Sequence, residues 1–396
     1  MKVLHITTID TGGAYKGALR LHESMIMHGI DSRILVRTRL HPGSPVLTAF
    51  HSPVGAFISK GKNGINKLFA DGEITDDRLG TDLSGRDEVL QADIIILHWI
   101  NSFLSLKDIE KLGKLGKRIV WIMHDMWLFT GGCHVDRYCG RYCEQCGLCP
   151  YLGAQREDDL SRRNFLRKTQ TIAKLDITVT GPSRWIVEQA EKSAVLAGKK
   201  ILHMPNVLNT DLHCPGEDRD SLKGKYGITK DKKVILFGAA DNGTDNENKG
   251  FRYLREAVSY LPADQYLLLV FGNAGENLGL PETLEVVKNG YVESEEKLID
   301  LYRMADVLVN PSNQESFGYT VCEAMACGTP AVGFPIGGIK EQIEHKVNGY
   351  LAAYQDAEDL AKGIEYCAEN RDTLGKNARE TALQHSYEKA WFREIL

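Results

Sequence analysis

Glu315 and Glu323 stand eight positions apart in Glu315-Ser-Phe-Gly-Tyr-Thr-Val-Cys-Glu323, and carboxylates accept hydrogen bonds well from sugar hydroxyls. An apolar run, Ala305 to Val309, leads into this stretch, and Asn310-Pro311-Ser312 ends the run. The pattern reads as strand, loop, then a helix starting near Phe317. The N-terminus of a helix offers free N–H groups and positive dipole charge, so the amides of Ser316, Phe317 and Gly318 suit a phosphate. Glu315 lies just before the helix and Glu323 inside it, which separates them by roughly 12 Å along the axis at ~1.5 Å per residue. That matches the reach from a sugar, past a diphosphate, to a ribose, and the segment suits a nucleotide-diphospho-sugar. A buried helix whose two glutamates merely touch solvent has the same spacing. Against it, the helix carries no charge besides Glu323, and such a charge is rarely buried without a partner.

Four other groups of residues could do chemistry. Thr8-Ile-Asp-Thr-Gly12-Gly13 joins a strand to a helix, and a glycine pair lets backbone approach a ligand closely. Only fragments of a Gly-x-Gly-x-x-Gly dinucleotide fingerprint are present. His124 ends the apolar run Ile119–Met123, and His98 ends Asp93–Leu97. The C-terminal ends of strands are where α/β proteins bind ligands; a strand-end histidine satisfied by its neighbours is the alternative. Lys249-Gly250 opens a helix in the second half, and its ammonium can neutralise charge on a leaving diphosphate; a solvated lysine is the alternative. Five of the nine cysteines fall between Cys133 and Cys149. Four thiolates at short spacings can enclose a tetrahedral zinc, here Cys133, Cys139, Cys146 and Cys149, with Cys143 or His134 able to replace one. Reduced thiols packing a loop and an iron–sulfur cluster remain open.

The elements that position these groups alternate between strand and helix, which argues for α/β layers around parallel sheets. In the first half the strands are Lys2–Thr7, Asp93–Leu97, Arg118–Met123, Asp176–Thr180 and Ile201–Met204, with helices over Gly17–His28 and from Ser183 to Ala190. Leu208 to Lys232 is polar, holds Pro215-Gly216 and marks a domain boundary. Val234–Phe237, helix Phe251–Leu261, Tyr266–Phe271, helix Ser294–Met304 and Ala305–Val309 follow, and the end is helical from Asp356 to Cys367 and from Leu374 on.

The 396 residues suffice for two domains. The net charge of −5 gives no reason to expect a nucleic-acid partner. No apolar run approaches the ~18–20 residues that span a bilayer, and the N-terminus lacks a signal-peptide pattern. The expected location is cytoplasmic, where clustered cysteines favour metal over disulfides. Phe57–Phe69 combines Lys60, Lys62 and Lys67 with Phe57, Ile58, Ile65, Leu68 and Phe69. It could lie on an anionic membrane surface, making the protein peripheral on the inner face of the cell membrane; an ordinary surface segment is the alternative.

Met304-Ala-Asp-Val-Leu-Val-Asn-Pro-Ser through Ala331-Val332 resembles the donor-site signature of glycosyltransferase family 4 (group 1), the large retaining group with the GT-B fold. The resemblance runs from Lys2 to about Tyr387. It implies an α/β fold of two Rossmann-like parallel-sheet domains facing across a cleft: an acceptor-binding domain over 1–207, a nucleotide-sugar-binding domain over 208–375, and a C-terminal helix over 376–396, of which Tyr387–Leu396 returns to the first domain. It implies sugar transfer from a nucleotide-diphospho-sugar to a glycan or lipid-linked glycan. Glu315 would contact sugar hydroxyls, Glu323 the ribose, Gly12 and Gly13 the diphosphate, His124 the transferred sugar, and His98 the acceptor side. Gly290-Tyr291-Val292, with Gly272 and Asn273 nearby, would meet the nucleobase. Catalysis would rest on His124, Glu315 and Lys249, with the leaving phosphate taking the acceptor proton. No Asp-x-Asp pair follows a strand beside the site, so no catalytic divalent metal is expected. The family's arginine after the strand's glycine is absent, because Gly238 is followed by Ala239-Ala240-Asp241; Arg252 is the candidate substitute. The Cys-rich stretch, 125–152, resembles an insertion in capsule and exopolysaccharide transferases of the colanic-acid type, which share four cysteines at this spacing; Cys143 is additional. A same-fold nucleotide-sugar hydrolase or epimerase, and an inactive transferase-like carbohydrate-binding protein, are the rival expectations.

Overall fold

Strand β1 (Lys2–Ile9) is buried from Val3 to Thr8, as a strand covered on both faces must be. It is followed by β2 (Asp31–Thr38), β3 (Leu47–Thr48), β4 (Ile94–Leu97), β5 (Arg118–Ile122), β6 (Ile177–Gly181) and β7 (Lys200–His203). The computed structural model describes residues 1–50, 57, 61–62, 64, 66, 74–76, 78–216, 218–239, 244, 246–292 and 294–396. The seven strands form one sheet in the order β3-β2-β1-β4-β5-β6-β7, with every neighbouring pair parallel. Parallel neighbours need crossovers, supplied by helices such as Gly12–Met27, Leu106–Gly113, Leu160–Ala173 and Arg184–Glu191. Their starts are set by side-chain caps: Ser105 and Asp108 form a capping box, Asp159 accepts from the Arg162 amide and Ser183 from the Ile186 amide.

A second sheet contains β8 (Lys233–Ala239), β9 (Tyr266–Gly272), β10 (Glu285–Gly290), β11 (Val307–Asn310), β12 (Ala331–Gly333) and β13 (Gly349–Leu351). Its order is β10-β9-β8-β11-β12-β13, again parallel throughout. Its core gathers Ile235, Leu236, Leu268, Leu269, Leu308 and Val309 from the strands with Leu301, Val321, Met325 and Ile364 from the helices. In each sheet the strand order reverses once, between β1 and β4 in the first and between β8 and β11 in the second. Such a reversal leaves a crevice at the carboxyl ends of the two strands, where ligands bind in open α/β sheets.

Residues 1–207 together with 390–396 form one compact unit, and 208–389 form the other. The expected return from 376 onward is therefore shorter. Helix Arg371–Ala382 buries Leu374, Gly375 and Ala378 and packs on helix Tyr319–Ala326 of the second unit, which its small residues allow. Only the last residues join the first unit: Phe392 and Ile395 are buried with Val3, Leu21 and Met25. The sequence missed β2, because Asp31, Arg33 and Arg37 interrupt its apolar pattern; the helix after β1 begins at Gly12, five residues earlier than expected. The proposed membrane-facing stretch lies mostly outside the described residues, including Ile58, Lys60, Ile65, Lys67, Leu68 and Phe69.

Candidate active site

The switch point of the second sheet is built from the segments that follow β8 and β11. Asn248 stitches them together. Its Nδ2 donates to the Gln314 carbonyl at 2.8 Å, its Oδ1 accepts from the Gln314 amide at 3.1 Å, and its carbonyl accepts from the Asn313 amide at 2.8 Å. Asn313 returns a bond from Nδ2 to the Glu247 carbonyl at 2.7 Å. This ladder brings Lys249 Nζ to 2.9 Å from Glu315 Oε2. The close approach depends on Gly250. Its φ of +67° favours glycine, and a Cβ there would stand 1.8 Å from the Pro311 carbonyl oxygen. An ammonium and a carboxylate thus share one strand-end crevice. Asn248 and Asn313 are residues that sequence reasoning missed; their place in a polar loop gave no one-dimensional signal.

Glu315 does not belong to the helix that follows. Gly318, at φ 89°, turns the chain before the helix Tyr319–Ala326 begins. The axial spacing expected between Glu315 and Glu323 therefore does not apply, since only Glu323 is helical. The Glu315 segment is instead seated on a second glycine pair. The Gly338 amide donates to the Glu315 carbonyl at 3.0 Å, and a Cβ on Gly337 would lie 1.9 Å from that oxygen. Phe317 is buried, and its carbonyl accepts from Gln342 Nε2. Glu323 is 1% exposed, and its Oε2 accepts from the Tyr302 hydroxyl at 2.6 Å. In this arrangement Glu323 ties two helices together, and a ribose hydroxyl would have to share it with Tyr302.

Arg252 does not take the place of the absent arginine beside Glu315. Its guanidinium lies over the Tyr253 ring, and Nη2 donates to the Tyr253 hydroxyl at 2.5 Å. It lines a cavity with Tyr253, Arg255, Glu256 and Gly279. Lys249 is the cation in contact with Glu315. Gly272 ends β9 at φ 93°, Tyr291 is exposed, and Val292 packs on the core of the unit.

In the first unit the switch point lies at the ends of β1 and β4. Gly12 and Gly13 form the first turn of the helix after β1, and a Cβ at either would meet nothing within 4 Å. Asp10, buried just before them, accepts from the amides of Leu40 at 2.6 Å and His41 at 3.1 Å. His98 and His124 come together: His98 Nδ1 is 2.8 Å from His124 Nε2. A third member, unforeseen in the sequence, is His5, whose Nδ1 is 2.9 Å from His98 Nε2. The available signal was a histidine in the middle of an apolar strand, where a polar group needs a partner. Burial pushes the pKa of His5 down to about 3 and of His124 to about 4, and holds His98 well below the usual histidine range, so all three are neutral at neutral pH. Asp125, next to His124, accepts from His134 at 2.6 Å. His134 thus has a carboxylate partner.

The cysteine-rich loop is tied to the start of helix Leu160–Ala173. The Cys149 amide donates to Asp159 at 2.8 Å, the Gly147 amide to Ser161 at 3.0 Å, and Arg162 Nε to the Cys146 carbonyl at 2.8 Å. Buried Lys168 donates to the carbonyls of Trp127 and Thr130 and sits 3.6 Å from the centre of the Trp127 ring. Cys133 and Cys149 are buried beside Ile74, Cys143 is exposed, and all five thiols are free. Burial pushes the Cys133 and Cys146 thiols up to about 12. Among the described residues, no group of three or more His, Cys, Asp or Glu side chains is placed to hold a metal ion.

Two all-parallel sheets, each with one reversal and helical crossovers, match the two Rossmann-like domains of the GT-B fold. Over its whole length the chain is similar to Anabaena HepE, solved in complex with UDP and glucose (TM-score 0.69, 17% identity, 100% of this chain and 98% of that one). It is also similar to WaaG, a glycosyltransferase involved in lipopolysaccharide biosynthesis (TM-score 0.65, 16% identity, 99% of each chain). Residues 218–382, almost the entire second unit, match the family model described as glycosyl transferases group 1. Among curated relatives, a D-inositol 3-phosphate glycosyltransferase of Geodermatophilus obscurus is 31% identical over 208 residues, 48% of this chain and 45% of the relative. N-acetyl-alpha-D-glucosaminyl L-malate synthase of Bacillus anthracis is 29% identical over 269 residues, 61% of this chain and 67% of the relative. The chain spans about half the length of most curated relatives it matches, such as the 45%, 49% and 43% covered in the first three.

Proposed function

We propose that this chain is a retaining glycosyltransferase that moves a sugar from a nucleotide-diphospho-sugar to a growing polysaccharide or lipid-linked glycan. The observation that carries the proposal is the Lys249–Glu315 pair at the second sheet's switch point, 2.9 Å apart, within the segment that matches the group 1 family model. The donor's sugar hydroxyls would be accepted by Glu315, and Lys249 would turn from Glu315 to the departing diphosphate as its charge develops. The Ser316, Phe317 and Gly318 amides precede a helix whose first N–H groups suit a phosphate oxygen. Glu323 would take the ribose hydroxyls, sharing its carboxylate with Tyr302. Gly12 and Gly13, free of close neighbours on their Cβ side, would face the diphosphate, and Gly272, Tyr291 and Val292 the base. On the first unit His124 would meet the transferred sugar and His98 the acceptor side. Orientation and diphosphate stabilisation supply the catalysis, with no enzymic nucleophile.

HepE, solved with UDP and glucose, favours a UDP-sugar donor, and peripheral contact with the inner membrane face fits a lipid-linked acceptor. No helix among the described residues is long and apolar enough to cross a membrane. A thermal-shift screen with UDP-, GDP- and ADP-sugars tests the donor, because a ligand that binds only the folded state at a hundredfold excess over its Kd stabilises by about 2.7 kcal/mol. No shift with any sugar nucleotide would overturn the proposal. Product analysis then separates transfer with retention from hydrolysis or epimerisation.

A further inference from the structure

We infer that His5 and His98 are positioning residues that hold His124 in one tautomer, with its Nδ1–H presented to an oxygen of a bound hydroxyl-bearing ligand. The ligand half of this inference rests on the transferase proposal; the tautomer half does not. The three imidazoles lie in a row. The ring centres of His5 and His98 lie 5.2 Å apart, and those of His98 and His124 5.1 Å apart. The interplanar angles are 25° and 22°. Hydrogen bonds join Nδ1 of each ring to Nε2 of the next, at 2.9 and 2.8 Å. A neutral imidazole has one donor and one acceptor. Two such bonds in series must therefore point the same way, and all three protons sit on Nδ1 or all three on Nε2.

The buried end of the row selects between these. His5 is fully buried, and its Nε2 has no hydrogen-bond partner among the described residues. With the protons on Nε2, that atom becomes an orphaned buried N–H. With the protons on Nδ1, it is a bare lone pair, and under-satisfied acceptors are better tolerated in protein interiors than orphaned N–H groups. The whole row then donates outward, from His5 to His98 to His124. His124 is half-buried and lines a cavity with His98, Trp99, Asn101 and Asp125. Its Nδ1, the open end of the row, carries the hydrogen. Such a group orients a hydroxyl by donating to its oxygen; it does not take the hydroxyl's proton. His5, remote from any ligand, thus fixes the chemistry offered at the end of β5.

The test is a long-range 1H–15N correlation spectrum of the unmodified protein labelled with 15N-histidine. The expected pattern is a protonated Nδ1 and a bare Nε2 on His124, and the same on His5 and His98; a proton on His124 Nε2 overturns the inference. His5→Ala opens a space for a water, which can either donate to or accept from His98 Nε2, and so should leave His124 in a mixture of tautomers. His5→Asn places an amide N–H where Nδ1 stands and should restore the single form. An unchanged His124 tautomer in folded His5→Ala overturns the role of His5, and if that variant does not fold, the wild-type spectrum decides alone. With an active donor in hand, His5→Ala should lower kcat on the order of tenfold to a hundredfold, leave the donor KM nearly unchanged, and be rescued by His5→Asn. Correct tautomers in a protein that transfers no sugar would sink the proposed function and leave the histidine row standing. Transfer by a protein with the opposite tautomer would do the reverse.

Discussion

The Lys249–Glu315 contact shows how a single pair can matter for chemistry and hardly for folding. Both side chains are partly open to solvent, 27% and 20%, and such pairs contribute ~1 kcal/mol or less. Lys249→Ala should therefore keep the melting temperature nearly unchanged. It should lower turnover with the identified donor by about a hundredfold, the scale set by losing one preorganised charge stabiliser. Steady-state kinetics beside a melting curve checks both halves, and full turnover would remove Lys249 from the mechanism. Gly250 is the opposite case. An added methyl meets the Pro311 carbonyl oxygen at 1.8 Å in a backbone conformation of φ +67°. Gly250→Ala should cost about 1–3 kcal/mol of strain and lose donor binding as well, read as a lower urea midpoint together with a lost ligand-induced shift. The residue types of this site were legible in the sequence, since a carboxylate after a strand and a lysine before a helix point to their partners. Asn248 was not, because its value lies in bonds to a segment 66 residues away in the chain.

At the scale of elements, the alternation of strands and helices was legible, because a strand buried on both faces is written as an uninterrupted apolar run. The lengths of β1, β8 and β9 follow from this. The short strands β3, β12 and β13, of two or three residues, carry too little pattern to register, and strand order is fixed by packing that no local window contains. The cysteine-rich loop draws on partners that cysteine spacing does not announce. Its anchors within the protein are the first turn of Leu160–Ala173 and Lys168. That lysine is 2% exposed, and its ammonium serves two carbonyls and an indole face. Lys168→Met keeps the stem and removes the charge, leaving two carbonyls short of a donor. It should destabilise by about 3 kcal/mol, and hydrogen exchange should quicken over residues 126–134 while the strands of the second unit stay protected. Unaltered exchange in that segment would show that the loop has another anchor.

For the molecule as a whole, the buried histidines give the first unit a pH dependence that the second can be measured against. His5 and His124 titrate near 3 and 4 in the folded protein, and burial lowers His98 and His22 as well, against about 6.5 in the unfolded chain. Once the pH falls below 6.5, the unfolded chain binds protons that the folded chain refuses. Stability is therefore complete above that value and is lost progressively on acidification toward the folded pKa values. Each such histidine contributes at most about 1.4 kcal/mol per pH unit across that window. The first unit can be read separately, because all five tryptophans, Trp99, Trp121, Trp127, Trp185 and Trp391, belong to it. The urea midpoint followed by tryptophan fluorescence should fall steadily from pH 6.5 to 5, where most carboxylates are still ionised. His5→Phe removes one refused proton and should flatten that slope by up to one histidine's worth. A midpoint flat between pH 7 and 5 in the wild-type protein would mean that the row accepts a proton without unfolding, and that its imidazoles are not kept neutral by the fold.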